Sequence, residues 1–225
     1  MKSSRFILYI LTTSLLFASN SCNREFEEIK ETYSDGKPKV VLLYKDTQER
    51  HNIIKEIIYY PDGDKKCETH FRNGKENGRY ICWDENGLLE EKGSYKDGLR
   101  DDSVYVYQDE KLVRIRIYEQ GKVIKLVLFS PTGKKMESSF KNGVQYGKMY
   151  GWYETGELEF EVESWNGPCI EYHKNGKRKI VGQVKDGSDD GTWQYFNEQG
   201  TLLKELTYEK GMAVDSVLYE VGAPK

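Results

Sequence analysis

The residue types best suited to chemistry lie in Cys67-Glu68-Thr69-His70, which offers a thiolate, a carboxylate and an imidazole within four positions. Such groups bind zinc when they converge on one point. On an extended strand, however, residues three apart point to opposite faces, so Cys67 and His70 could meet only at a bulge. His51, His70 and His173 are the three histidines, and no motif sets one of them beside a nucleophile. Asp62, Asp64, Asp84 and Asn86 fall in turn peptides and do not follow the spacing of a calcium loop. The glycines recur at hairpins and none opens a helix, so they do not form a phosphate-binding loop. No metal ligands, cofactor or catalytic residues are therefore expected, and the chain reads as a protein that is not an enzyme.

Those residues must be positioned by a repeat. A turn glycine is followed eight positions later by an aromatic or apolar residue: Gly36 and Tyr44, Gly63 and Phe71, Gly87 and Tyr95, Gly176 and Val184, Gly200 and Tyr208. Gly133 and Gly156 head two less regular copies. Successive glycines are 27, 24, 46, 23, 20 and 24 residues apart, the third interval being two periods with one glycine missing. A fixed period in the twenties means many copies of one unit, each too small to bury its own apolar face. Such arrays build extended surfaces.

Each unit alternates with period two. Leu158, Phe160 and Val162 interleave with Glu157, Glu159, Glu161 and Glu163, and Pro38, Val40, Leu42 and Tyr44 share one parity after Gly36. That alternation marks half-buried antiparallel strands. A second strand precedes each glycine and carries an aromatic about four residues before it: Tyr59, Trp83, Phe129, Trp152, Tyr172 and Phe196. Peptides such as Pro61-Asp62-Gly63 supply the positive φ of hairpin turns. A second turn type is aromatic-x-x-Gly, as in Tyr95-Lys96-Asp97-Gly98 and Tyr208-Glu209-Lys210-Gly211. The expected fold is all-β, an elongated antiparallel β-meander of tandem hairpin repeats of about 23 residues, occupying 33–220 and followed by a tail at 221–225.

The N-terminus is of another kind. Lys2 and Arg5 precede an apolar run from Phe6 to Phe17, then Ala18-Ser19-Asn20-Ser21 and Cys22. This mostly apolar run of twelve residues spans about 18 Å as a helix, against roughly 30 Å of hydrocarbon core, so an export signal over 1–21 fits better than a membrane span. Cys22 after small residues resembles the bacterial lipoprotein signal, which implies lipidation at Cys22, a linker over 22–32, and a place in the cell envelope facing periplasm or cell surface. Ordinary signal-peptide cleavage is the alternative. Removal of 1–21 leaves 32 basic against 37 acidic residues, a formal charge of −5, which argues against nucleic acid as a partner. Cys67, Cys82 and Cys169 remain as buried thiols, with a Cys67–Cys82 bridge as the other reading.

Trp193-Gln194-Tyr195-Phe196-Asn197-Glu198-Gln199-Gly200, continued by Leu202, Leu203, Glu205, Tyr208 and Gly211, resembles the MORN repeat variant. Phe71-Arg72-Asn73-Gly74-Lys75-Glu76-Asn77-Gly78 and Tyr80 follow the same aromatic-x-x-Gly-x-x-x-Gly pattern. The resemblance implies a twisted β-meander acting in binding or assembly, and bacterial members often carry an antitoxin label after the YwqK group. The pattern breaks between Tyr107 and Phe129, where Gln108-Asp109-Glu110-Lys111 replaces the turn glycine. There Val113, Ile115 and Ile117, with Ile124, Leu126 and Leu128, make a candidate interaction patch, on a segment expected to be covered on both faces. Two functions follow: a lipid-anchored scaffold whose partner is an unknown protein or a second copy, and a glycan-binding array in which Trp193, Tyr195 and Phe196 stack on sugars. Exposure of the strand aromatics separates them.

Overall fold

A computed structural model describes residues 25–45, 52–163 and 165–220. The signal segment, Cys22, His51 and the tail lie outside these. All described elements are strands. They are β1 (Phe26–Thr32), β2 (Pro38–Tyr44), β3 (Ile53–Tyr59), β4 (Lys65–Arg72), β5 (Lys75–Trp83), β6 (Leu89–Lys96), β7 (Leu99–Gln108), β8 (Lys111–Glu119) and β9 (Lys122–Ser130). The second half holds β10 (Gly133–Lys141), β11 (Val144–Gln145), β12 (Lys148–Trp152), β13 (Leu158–Glu163), β14 (Gly167–Tyr172), β15 (Arg178–Lys185), β16 (Ser188–Phe196), β17 (Leu202–Glu209) and β18 (Met212–Leu218). Each pairs antiparallel with its neighbour in the chain, except that the two-residue β11 pairs only with β10, which goes on to pair with β12. The outcome is the expected meander: one open 18-stranded sheet with β1 and β18 at its edges.

Two turn types alternate. At one row of hairpins the residue three before the glycine closes both ends of the turn. Tyr60 C=O accepts from Gly63 N–H at 3.0 Å, and Tyr60 N–H donates to Asp64 C=O at 2.8 Å. The glycine is in the left-handed region, φ +106° at Gly63 and +76° at Gly87. This is a type I turn followed by a left-handed residue that opens a bulge, and the register slips by one beside Tyr59, Trp83, Trp152, Tyr172 and Phe196. At the other row, two-residue turns such as Asn73-Gly74 and Asp97-Gly98 hold both residues at positive φ. The β7–β8 hairpin, which has no glycine, uses Asp109 at +48° and Glu110 at +61°.

Among the described residues appreciable packing runs only between sheet neighbours, so the described sheet is a single layer. Three sequence expectations change. Residues 26–32, expected in a linker, form β1, since Phe26-Glu27-Glu28-Ile29 pairs residue for residue with β2. β2, expected to have one apolar face, is buried on both. Val40, Leu42 and Tyr44 pack with Ile53 on one side, and Val41, Leu43 and Ile57 with Ile54 and Tyr59 on the other. The segment expected to be covered on both faces, Val123–Phe129, is buried only at Val127, because no second layer lies over it among the described residues.

Candidate interaction surface

Antiparallel register decides which side chains share a face, because residues directly opposite each other point the same way. One cross-strand row runs unbroken from Ile29 on β1 to Val217 on β18, through every strand except β11. The bulges beside the turns do not disturb it. The two faces that this row separates differ in chemistry.

The first face, which contains the row, carries carboxylates at a repeated position, four or five residues after the turn glycine. Glu68 is bridged by Lys55 at 2.6 Å and Lys65 at 3.0 Å, and Glu137 by Lys125 at 2.6 Å and Lys134 at 2.7 Å. Glu161 accepts from Lys148 at 3.0 Å and Tyr172 Oη at 2.8 Å, and Glu205 accepts from Gln194 and Tyr219, each at 2.7 Å. Partial burial works against ionisation of Glu68 and Glu137, but the two lysines on each outweigh it and hold both carboxyls below the usual range. The equivalent position after Gly87 is Lys92, whose ammonium lies 5.5 and 5.4 Å from the Tyr105 and Tyr107 ring centroids. Of the glutamate series, Glu157 is exposed, while Glu159, Glu161 and Glu163 are half-buried.

Both faces carry aromatics, but on the second the rings are fitted to glycines. Tyr80 stands directly opposite Gly93, and Phe160 opposite Gly151. An added Cβ at Gly182 would overlap the indole of Trp193, and one at Gly151 would overlap the Phe160 ring. Tyr80 is 3% exposed and donates to Glu91 Oε1 at 2.6 Å, while Arg100 reaches the same carboxylate at 2.7 Å and lies 5.5 Å from the Tyr80 ring centroid. Burial and then the Glu91 hydrogen bond raise the phenol pKa well above its ordinary value, so the hydroxyl acts as a fixed donor that closes the knot.

The candidate patch divides between the faces. Ile115 stands opposite Val127, and Ile117 opposite Lys125, so with Val113 they share the first face. Leu126 and Leu128 stand opposite Arg116 and Arg114 on the second, and Ile124, 36% exposed, lies on the same strand. Leu126 floors a groove of about 520 Å³ with Val123 and Phe140, rimmed by Arg116, Lys122 and Asn142. Val113 lines a smaller one of about 290 Å³ with Leu112, Phe129 and Pro131.

The repeat glycines fall into two groups by turn geometry. Gly36, Gly63, Gly87, Gly156, Gly176 and Gly200 occupy the left-handed turn position, each donating to the carbonyl three residues back. Gly133, at φ +147°, instead opens β10 after a Pro131-Thr132 turn, opposite Ser130.

Cys67 and Cys82 are joined in a disulfide, not left as thiols. They stand directly opposite on β4 and β5, with Cα atoms 4.1 Å apart. Cys67 is thereby removed as a metal ligand, and among the described residues no group of three or more metal-binding side chains converges. Cys169 is free, and burial pushes its thiol up to about 11.

Side chains also tie successive turns together. Tyr33 Oη donates to Tyr59 C=O at 2.7 Å, Tyr60 Oη to Trp83 C=O at 2.9 Å, and Tyr153 Oη to Tyr172 C=O at 2.7 Å. His173 Nε2 lies 2.9 Å from Phe196 C=O. In every case the residue three before one turn glycine reaches the residue four before the next. Asp84 and Asn197 occupy the same position but cap their own turns, each accepting from two backbone N–H groups. After Asp84, the next hairpin of this row is the Asp109-Glu110 turn, which has no glycine.

The MORN repeat variant profile matches residues 76–97 and 189–210, each running from the strand before one turn glycine to the strand after it. None of the curated proteins matches the chain. Similar solved structures include the GtfA/B complex bound to UDP and GlcNAc, at 9% identity and TM-score 0.18, covering 60% of this chain and 23% of that one. The TcdB2-TccC3-TEV complex gives 11% identity and TM-score 0.22, over 86% of this chain and 15% of that one. A Bacteroides fragilis protein of unknown function gives 8% identity and TM-score 0.15, over 88% and 94%. The chain thus spans under a quarter of the first two. What sequence and structure establish together is an array of hairpins of which two are MORN repeat variants.

Proposed function

We propose that this chain is a non-enzymatic interaction scaffold of the bacterial cell envelope, held at a membrane by lipid on Cys22. The observation that carries the reading is the single-layer sheet, which offers two broad faces to partners while the rings that order it are turned into the strands. Trp193 is 7% exposed and Tyr195 and Phe196 are half-buried, a poor platform for stacking sugars. The described aromatics that are exposed, Tyr146, Trp165 and Tyr219, lie outside the regular strands, which disfavours the glycan-binding alternative. The antitoxin label of the family finds no particular support in this geometry.

Metabolic labelling with a fatty-acid analogue tests the anchor. Wild type should carry label and fractionate with membranes, and Cys22→Ala should lose both; equal labelling of the two proteins overturns it. Partner recovery across a salt series tests the charged face. Changing Glu157, Glu159, Glu161 and Glu163 to Gln should reduce recovery at low salt with the fold intact, and recovery equal to wild type throughout would make this row only a solvated surface.

A further inference from the structure

The two edges of the sheet are not alike. β1 carries Glu27, Glu28, Lys30 and Glu31, all exposed, the charged guard by which natural sheets keep edges from pairing. β18 has no such guard. All seven of its residues are exposed, Asp215 is its one charge, and Met212, Val214, Val217 and Leu218 are 69, 54, 45 and 79% exposed.

The backbone of β18 is prepared as well. Tyr219 N–H donates to Leu203 C=O at 2.8 Å, and Val217 and Asp215 continue that parity opposite Glu205 and Thr207. Residues of this parity turn their N–H and C=O groups inward to β17. Ser216 and Leu218 therefore present theirs outward, with no partner among the described residues, while Val214 is the extra residue of the bulge between Thr207 and Tyr208.

We infer that β18 pairs antiparallel with β18 of a second copy of this chain about a two-fold axis near Ser216. Three observations choose this occupant. Every strand pair in the sheet is antiparallel, and a two-fold keeps that rule. Continuing the array head to tail would set β18 beside a parallel β1, since both strands run in the same direction, and would bring the glutamates of β1 against an edge with no cation. Among the registers that bring outward groups together, an axis at Asp215 would oppose two carboxylates. An axis at Ser216 instead sets Val214 against Leu218 twice and Asp215 against Val217.

This names one partner for the scaffold proposed above and rests on that reading for its purpose, but the two fail separately. Unchanged labelling of Cys22→Ala bears on the anchor; the mass of the wild type bears on the edge. Sedimentation of the full chain should give a dimer, and Val214→Lys with Leu218→Lys should give a monomer with an unchanged melting curve. Under mild oxidation Ser216→Cys should form a covalent dimer beyond the wild-type background, and Glu28→Cys on β1 should not. A monomeric wild type, a double-lysine variant that still dimerises, a dimer that Ser216→Cys does not trap, or trapping through Glu28→Cys would each overturn the inference.

Discussion

Replacing Gly182 by Ala tests whether the glycine–ring pairs hold the array together. On β15 this glycine has no positive φ to protect, and alanine in a strand should gain about 0.5–1 kcal/mol over glycine from the unfolded chain alone. The opposing term is steric. The three atoms nearest an added Cβ all belong to the Trp193 indole, a ring 7% exposed and in edge contact with Tyr208 at 6.0 Å between centroids. Indole is rigid, so the ring must leave its seat. Forcing a methyl into a filled site costs about 1–3 kcal/mol. The net should be a loss of about 1–2 kcal/mol, or roughly 2–8 °C for a chain of this size. A double-mutant cycle isolates the cause. In a Trp193→Leu background the same alanine should cost much less, or stabilise, as the entropic term emerges. Gly176→Ala is the control: its Cβ meets nothing within 4 Å, so its cost comes from φ +79° and should not depend on Trp193. If Gly182→Ala melts at or above wild type, the ring is not seated on the glycine and the reasoning fails.

Gly87→Val should lose about 1–3 kcal/mol from the left-handed backbone alone, because nothing lies within 4 Å of its Cβ. A melting temperature equal to wild type would remove the turn assignment there. Glu68 tests the charged face by pH. Its carboxyl is held below the unfolded value, so its contribution is present above the ordinary carboxylate range and disappears as pH falls through the depressed value. Glu68→Gln should therefore shrink the loss of stability between neutral pH and about pH 3 by up to about 1 kcal/mol, discounted because Lys65 is half in water. Identical acid profiles for the two proteins would mean the lysines do not act on it.

The turns were readable in advance because their chemistry is local: a left-handed residue needs glycine, and Gly63 or Gly200 announces it. Alternation along a strand is equally local. What one strand cannot say is which parity of the next strand shares its face. That depends on turn length and bulges. Val113, Ile115 and Ile117 looked continuous with Leu126 and Leu128, yet the Gln120-Gly121 turn and the slip beside Tyr118 pair Ile115 with Val127. The same problem hid the disulfide. Cys67 meets Cys82 only after the Asn73-Gly74 turn and a register shift between Thr69 and Phe71. The glutamates of β1 read as linker in the sequence, although an edge strand is where charge belongs.

The ties between turns give the array a modular joint. Each hairpin from Tyr153 to His173 carries its own donor and offers its own carbonyl, so a unit inserted between them would meet a matching end on either side. Length can then change by whole repeats without redesign of any neighbour, and the distance between the β1 and β18 edges becomes a quantity that gene duplication can adjust. At Asp84 and Asn197 the oxygen is spent on the residue's own turn, so these two turns lack the joint.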